Sequence, residues 1–158
     1  MACRHDAAYT IFEDRGRQLR AANQRGLQDA LKRADCLVDL AGLTDDEHSL
    51  RFILPGSHPR FTPLHEVLGP PMLLRLDWED MGVPPVGLAF WEKLWELLPE
   101  GVTVFACAGG HGRTGTALAA MLIARGMSVE EAIEYVRRKH CPHAIETRGQ
   151  EEYLRSLR

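Results

Sequence analysis

The chain has 158 residues, 45% of them hydrophobic, and sets 19 Lys and Arg against 22 Asp and Glu for a formal net charge of -3. That length predicts one domain, residues 1–158, with a core large enough to need no metal or disulfide staple. The near balance of charge excludes a broad basic footprint for nucleic acid or an anionic membrane, so any anion site must be local. Four cysteines, Cys3, Cys36, Cys107 and Cys141, are scattered without a C-x-x-C pair. Reduced thiols in the cytoplasm are therefore expected, rather than a zinc site or a disulfide framework; a monomer is the expected state, although nothing in the cysteine pattern specifies it. The N-terminal MACRHDAAYT has no apolar stretch and nowhere do about 18 apolar residues run together, which predicts a soluble chain without a standard export signal.

In chain order, Leu19, Ala22, Leu27, Ala30 and Leu31 fall at helical spacing among Arg, Gln and Lys, predicting an amphipathic helix over Arg17–Arg33. CLVDLAGL, Cys36 to Leu43, reads as a buried strand followed by a turn. Residues 44–71 are rich in Pro, His and Gly, with one short strand candidate at 51–54, and are too long for an ordinary connection. His58 and His65 within them read as surface residues. MLLRLDW, 72–78, is a second core strand, and EDMGVPP breaks regular structure after it. Val86 to Leu98 places Val86, Phe90, Leu94, Leu97 and Leu98 on one helical face, with Trp91 and Trp95 widening it into the core. VTVFACA, 102–108, is the most strand-like run and leads straight into glycines. ALAAMLIARG is a buried helix with Gly126 as its stop. Ser128 with Glu131 begins another helix, to about His140. A short helix over 147–158 ends the chain. Strands alternating with helices predict an α/β fold with a central, largely parallel sheet flanked by helices.

The stretch Cys107-Ala-Gly-Gly-His-Gly-Arg-Thr-Gly-Thr116 admits three readings. Gly110, Gly112 and Gly115 match G-x-G-x-x-G, but a dinucleotide fold needs a further strand carrying an acidic residue about 20 positions on, and a capped helix follows instead. A P-loop needs lysine where Thr116 stands. The third reading joins Cys107 and Arg113 around a glycine-rich loop between a strand end and a helix N-terminus. Such a loop turns successive N–H groups toward an anion, and the helix dipole reinforces them. Arg113 offers a planar fork to two phosphate oxygens, and the same positive surroundings favour the thiolate of Cys107.

The pattern C-x5-R followed by Thr-Gly, in Cys107-Ala108-Gly109-Gly110-His111-Gly112-Arg113-Thr114-Gly115, resembles the signature of the cysteine-based protein tyrosine phosphatase superfamily. Upstream, Trp78-Glu79-Asp80-Met81-Gly82-Val83-Pro84 is similar to that family's W-P-D acid loop, with Glu79 in place of its proline. The late position of the cysteine and the short chain are similar to a compact dual-specificity-type phosphatase, not to the low-molecular-weight arrangement. The resemblance implies a phosphatase-like fold and no cofactor or metal. It makes Cys107 the nucleophile, Arg113 the transition-state clamp, Asp80 the general acid with Asp77 ranked second, and Thr114 the hydroxyl that stabilises the departing thiolate. Residues 108–113, namely Ala108, Gly109, Gly110, His111, Gly112 and Arg113, would cradle the phosphate. Gln150, in IETRGQEEYL, is the candidate to orient the hydrolytic water, its other reading being a solvated glutamine on a short helix.

Two departures from the family stand out, Glu79 and Ala106, the latter in the position where the family has histidine before the cysteine. Within the loop, His111 either adds charge near the phosphate or faces solvent. His140-Cys141 is followed by Pro142 and has no glycine loop, so Cys141 reads as structural, and HCPH lacks a second ligand group at metal-site spacing. Arg137-Arg138-Lys139 reads as a solvated helix end, or as a guide for acidic phosphopeptides. The expected function is hydrolysis of a phosphorylated protein or other phosphomonoester through a cysteinyl-phosphate. Alternatives are a phosphoinositide or RNA 5′-phosphatase on the same scaffold and a non-catalytic phosphate-binding module.

Overall fold

The computed structural model of the protein describes residues 5–43, 72–76 and 78–158. The long segment with His58, His65 and the strand candidate at 51–54, and the second-ranked Asp77, lie outside the described residues. Among those described, the first departure from the sequence reading comes early. Asp14-Arg15-Gly16-Arg17 holds Arg15 and Gly16 at φ 51° and 79°, a two-residue turn that joins strands β1 (Phe12–Asp14) and β2 (Arg17–Ala22) antiparallel. The helix expected over Arg17–Arg33 is therefore a strand, a turn and the short helix α1 (Leu27–Arg33). Leu, Arg, Gln and Ala favour helix locally, but β2 pairs along its whole length with β5 (Gly101–Ala106) and buries Leu19, Ala21 and Ala22. Those pairings outweigh propensities of a few tenths of a kcal/mol per residue.

The remaining strands are β3 (Cys36–Asp39) and β4 (Met72–Arg75), and the sheet order is β1-β2-β5-β3-β4. β2, β5, β3 and β4 run parallel. Val102, Thr103, Val104 and Phe105 suit β5 for the central place, because branched and aromatic side chains pack well on a pleated surface. Alternate residues feed two clusters: Cys36, Val38 and Phe105 enter the larger one, and Leu37, Val104 and Ala106 enter a smaller one with Leu27 and Ala30 of α1. The larger cluster also takes side chains from α2 (Leu88–Leu97), α3 (Gly112–Ala124), α4 (Val129–Lys139) and α5 (Arg148–Ser156). Trp91 and Trp95 are core residues, as expected, and the Trp91 indole N–H donates to Tyr153 Oη at 2.8 Å.

Helix ends follow local chemistry. At the end of α3, Gly126 at φ 109° lets its N–H reach the Ile123 carbonyl while Met127 N–H reaches Leu122, so the last turn is satisfied by backbone alone. Ser128 Oγ accepts the Glu131 N–H at the start of α4. Thr147 and Gln150 form a reciprocal capping box at α5. No described helix is long and apolar enough to cross a membrane. Because the four parallel strands point one way, the segments after Ala22, Asp39, Arg75 and Ala106 emerge at one end of the sheet, where open parallel sheets place their sites.

Candidate active site

The Cys107 loop runs from the end of the central strand directly into α3. Cys107 is 2% exposed. Its Sγ accepts the Gly110 N–H at 3.2 Å and the Thr114 hydroxyl at 3.0 Å. Gly110 has φ 76°, and a Cβ there would stand 2.6 Å from His5 Nδ1, so both backbone conformation and space require glycine. Gly115 is required differently: a Cβ would come within 2.8 Å of the Ala144 Cβ and the Ile145 nitrogen. The first turn of α3 thus packs against the segment that leads into α5.

Two carbonyls of the loop are held by partners, which fixes the direction of the neighbouring N–H groups. The Ala108 carbonyl accepts from Gln24 N–H at 3.1 Å, and the Gly110 carbonyl lies 2.7 Å from His140 Nε2. A carbonyl only accepts, so His140 carries its proton on Nε2. In a trans peptide the C=O and N–H point oppositely, which turns the Gly109 and His111 N–H groups away from Gln24 and His140. Ala106, where the family has histidine, is buried in the sheet. A histidine that holds this loop comes from the end of α4, His140, and its local sequence His140-Cys141-Pro142 carries no sign of that contact. Burial pulls His140 below the ordinary histidine range, against the Gly110 carbonyl, which favours its protonated form.

Arg113, 8% exposed, connects this loop to the second one. Its Nη1 donates to the Trp78 carbonyl at 3.1 Å and its Nη2 stands 3.6 Å from Asp80 Oδ1. Its Nε is buried without a partner among the described residues. Asp80 itself is exposed, and its Oδ1 accepts the Met81 N–H at 3.0 Å. A turn from the Glu79 carbonyl to the Gly82 N–H, with Met81 at φ 64°, presents the aspartate. Glu79 contributes its backbone to that turn, and its side chain is exposed, so the substitution of the usual proline leaves the turn closed. The Trp78 indole N–H fastens the other side by donating to the Gly82 carbonyl at 3.1 Å.

Gln150 is buried, not solvated. Its Oε1 accepts from Glu146 N–H at 2.9 Å and Thr147 N–H at 3.3 Å, and its Nε2 donates to the Gly82 carbonyl at 3.1 Å. The same amide would meet a Cβ on Gly112 at 3.3 Å, so it sits beside both loops. Its carbonyl is fully used, and one amide hydrogen remains to be donated.

The His111 ring does not face open solvent. It packs edge-on to His5 with centroids 4.7 Å apart, and its Nδ1 is 3.3 Å from Cys141 Sγ. His5 stacks in turn against His140 at 5.2 Å, and its pKa is pulled down to about 4, chiefly by burial and then by His140 and His111. Cys36 and Cys107 are free thiols, whereas Cys141 is disulfide-bonded, so the expectation of uniformly reduced cysteines fails there. Arg137 is not a solvated helix end: it donates to the Ala144 and Ile145 carbonyls and to Glu151, fixing the segment on which Gly115 packs.

No protein-family model matches the chain. It is 40% identical over 79 residues to an uncharacterized protein of Methanocaldococcus jannaschii, a match covering 48% of this chain and 48% of that protein. It is 38% identical over 76 residues to protein tyrosine phosphatase domain-containing protein 1 of Bos taurus, covering 46% of this chain and 9% of the bovine one. The matched stretches thus span about half or less of these curated relatives. Among solved structures, a mutant form of Tk-PTP superposes with a TM-score of 0.62 at 26% identity, over 92% of this chain and 91% of that one. Kinase associated phosphatase gives a TM-score of 0.59 at 19% identity over 90% and 85%, and PTPMT1 in complex with PI(5)P gives 0.58 at 23% over 94% and 92%. The chain has the protein tyrosine phosphatase fold of these neighbours, a central sheet flanked by helices.

Proposed function

We propose that the protein is a cysteine-dependent phosphomonoester hydrolase of the protein tyrosine or dual-specificity phosphatase type. The observation that carries this reading is the Cys107 sulfur held by Gly110 N–H and Thr114 Oγ while the buried Arg113 reaches the acid loop with its Nε unengaged among the described residues. A phosphoryl group resting on the loop meets the Gly109 and His111 N–H groups, the N-terminus of α3 and the Arg113 fork. These donors stabilise the equatorial oxygens as charge shifts through the transition state.

Cys107 thiolate attacks phosphorus in line, forming the S–P bond as the P–O bond to the leaving group breaks. Asp80 gives its proton to the departing oxygen. The carboxylate then takes a proton from water as that water attacks the cysteinyl-phosphate, releasing inorganic phosphate and returning the electron pair to sulfur. Thr114 stabilises the sulfur as it leaves, and the remaining Gln150 amide hydrogen is available to orient the water. Side chains and backbone supply all the charge this chemistry needs at phosphorus, so no cofactor is assigned to it. A phosphorylated protein is the preferred substrate class, with a phosphoinositide as the second, since only His111 and Arg113 in the loop are basic. The proposed setting is cytoplasmic.

The test is release of phosphate from p-nitrophenyl phosphate by the reduced protein with chelator present, together with mass spectrometry of acid-quenched enzyme. Turnover with a phosphate adduct on the Cys107 peptide, both absent in Cys107→Ser, is the expected result. Phosphopeptide binding without release by the parent would convert the assignment to a phosphate-reading module.

A further inference from the structure

We propose that in the reduced protein His5, His111 and Cys141 form a binding site for a thiophilic divalent transition-metal cation, with Zn2+ the best match. The fold brings these three together from separate parts of the chain, and one ligand atom from each lies within 4.8 Å of the other two. Cys141 Sγ and His111 Nδ1 are already 3.3 Å apart. Tetrahedral zinc, with bonds of about 2.3 Å to sulfur and about 2.0–2.1 Å to nitrogen, spaces its ligands about 3.3–3.6 Å apart. The Cys141–His111 pair has that spacing, and the His5 nitrogen lies within 4.8 Å of both.

A second observation points to a missing partner. Both ring nitrogens of His5 are buried, and neither has a hydrogen-bond partner among the described residues. Buried polar atoms are almost always satisfied, and here a second imidazole and a sulfur lie within 4.8 Å. The placement of His5 is built into the backbone: its carbonyl accepts the Asn23 N–H at 3.0 Å, and the chain passes so close to Gly26 that a Cβ there would overlap it. Gly110, without a side chain, leaves the ring its room. Two imidazoles and a thiolate with no carboxylate suit zinc and turn away Mg2+ and Ca2+. The site stands apart from the phosphate chemistry, yet His111 belongs to the Cys107 loop, so a bound cation ties that loop to the segments around residues 5 and 141. Cys3, two residues before His5 in sequence, lies outside the described residues, and the site is complete without it as three protein ligands and an open position.

Cys141 is disulfide-bonded in this structure, which withholds its sulfur from a metal. A dithiol reductant frees it by exchange: the reductant closes to its own disulfide and its two protons pass to the two protein sulfurs. Coordination then displaces the proton of the Cys141 thiol. The site is thus available to the reduced protein only.

The test uses the full, tag-free chain, reduced with a dithiol, desalted and titrated anaerobically with Co2+ and then Zn2+. One equivalent of Co2+ should bind with a thiolate-to-cobalt charge-transfer band and be displaced by Zn2+. The band should vanish in Cys141→Ser, His5→Ala should bind at least ~10-fold more weakly, and Cys107→Ser should keep both band and affinity. The oxidised protein should show no band. The proposal is overturned by absence of stoichiometric binding to the reduced chain, or by a band that survives Cys141→Ser and disappears in Cys107→Ser. Circular-dichroism melts confirm that the variants are folded. Should Cys141→Ser not fold, equal Co2+ affinity of parent and His5→Ala overturns the assignment by itself.

Discussion

Cys107 is 2% exposed with two donors on its sulfur, whereas Asp80, the acid proposed to work with it, has 67% of its side chain exposed and meets Arg113 at 3.6 Å. The Cys107 loop is tied by the β2–α1 turn, α4 and α3 through Gln24, His140 and Thr114. The Asp80 loop rests on Trp78, Thr147 and Gln150, which all reach the carbonyls of Met81 and Gly82 and never the aspartate. A nucleophile that must carry charge before substrate arrives needs donors fixed in advance. An acid that must exchange its proton with water and meet a variable leaving group needs access. The Asp80–Arg113 contact is long at 3.6 Å and its carboxylate is bathed in solvent, so it yields readily to a phosphate.

The rigid side should therefore be the less forgiving. Cys107→Ser is expected to lower kcat on p-nitrophenyl phosphate by at least ~10⁴-fold, since removing a nucleophile forfeits the whole covalent route. Arg113→Lys keeps the charge but loses the planar fork and with it the simultaneous hold on the Trp78 carbonyl and the phosphate. A fall of about 10³-fold in kcat/KM is expected, and a variant within about tenfold of the parent would show that the fork is dispensable. Asp80→Asn tests the exposed side. It should cost about 10²-fold with phenyl phosphate and much less with p-nitrophenyl phosphate, whose leaving group departs unaided. Equal losses on the two substrates would remove the acid role.

The same contrast governs what the sequence reveals. Cys107 and Arg113 stand six residues apart on one loop, so the chemistry proposed for them is written in local spacing, and the proposed acid Asp80 is marked by its Trp and Gly-Val-Pro surroundings. The β1–β2 hairpin is hidden because Arg17–Ala22 uses helix-forming residues for a strand that only its pairing with β5 explains. His140 is hidden for a related reason: its hydrogen bond to Gly110 spans thirty positions, and nothing near it marks a partner. The cluster of His5, His111 and Cys141 likewise has no two ligands at a motif spacing. What a sequence leaves out here is the set of tertiary supports that hold the legible residues.

Gln150 belongs to both regions, and its two functions can be separated. Gln150→Ala abandons the Glu146 and Thr147 N–H groups and the Gly82 carbonyl, which predicts a loss of about 1–2 kcal/mol and a melting temperature lower by about 2–8 °C. Gln150→Glu keeps the carbonyl-type acceptor for both N–H groups, and glutamate serves the capping box as well as glutamine. It replaces the amide donor with a carboxylate oxygen beside the Gly82 carbonyl, a buried repulsion that lowers the melting temperature as well. Kinetics therefore separate the two functions, with kcat expected to fall by less than about tenfold. Pre-steady-state release of p-nitrophenol locates that loss. A burst followed by a slowed steady rate assigns the amide hydrogen to hydrolysis of the cysteinyl-phosphate. A slowed burst places the loss in the first step, where a loosened Gly82 mispositions Asp80. Unchanged kinetics would reduce Gln150 to a helix cap, and the acid loop would then be held at Gly82 by the Trp78 indole N–H.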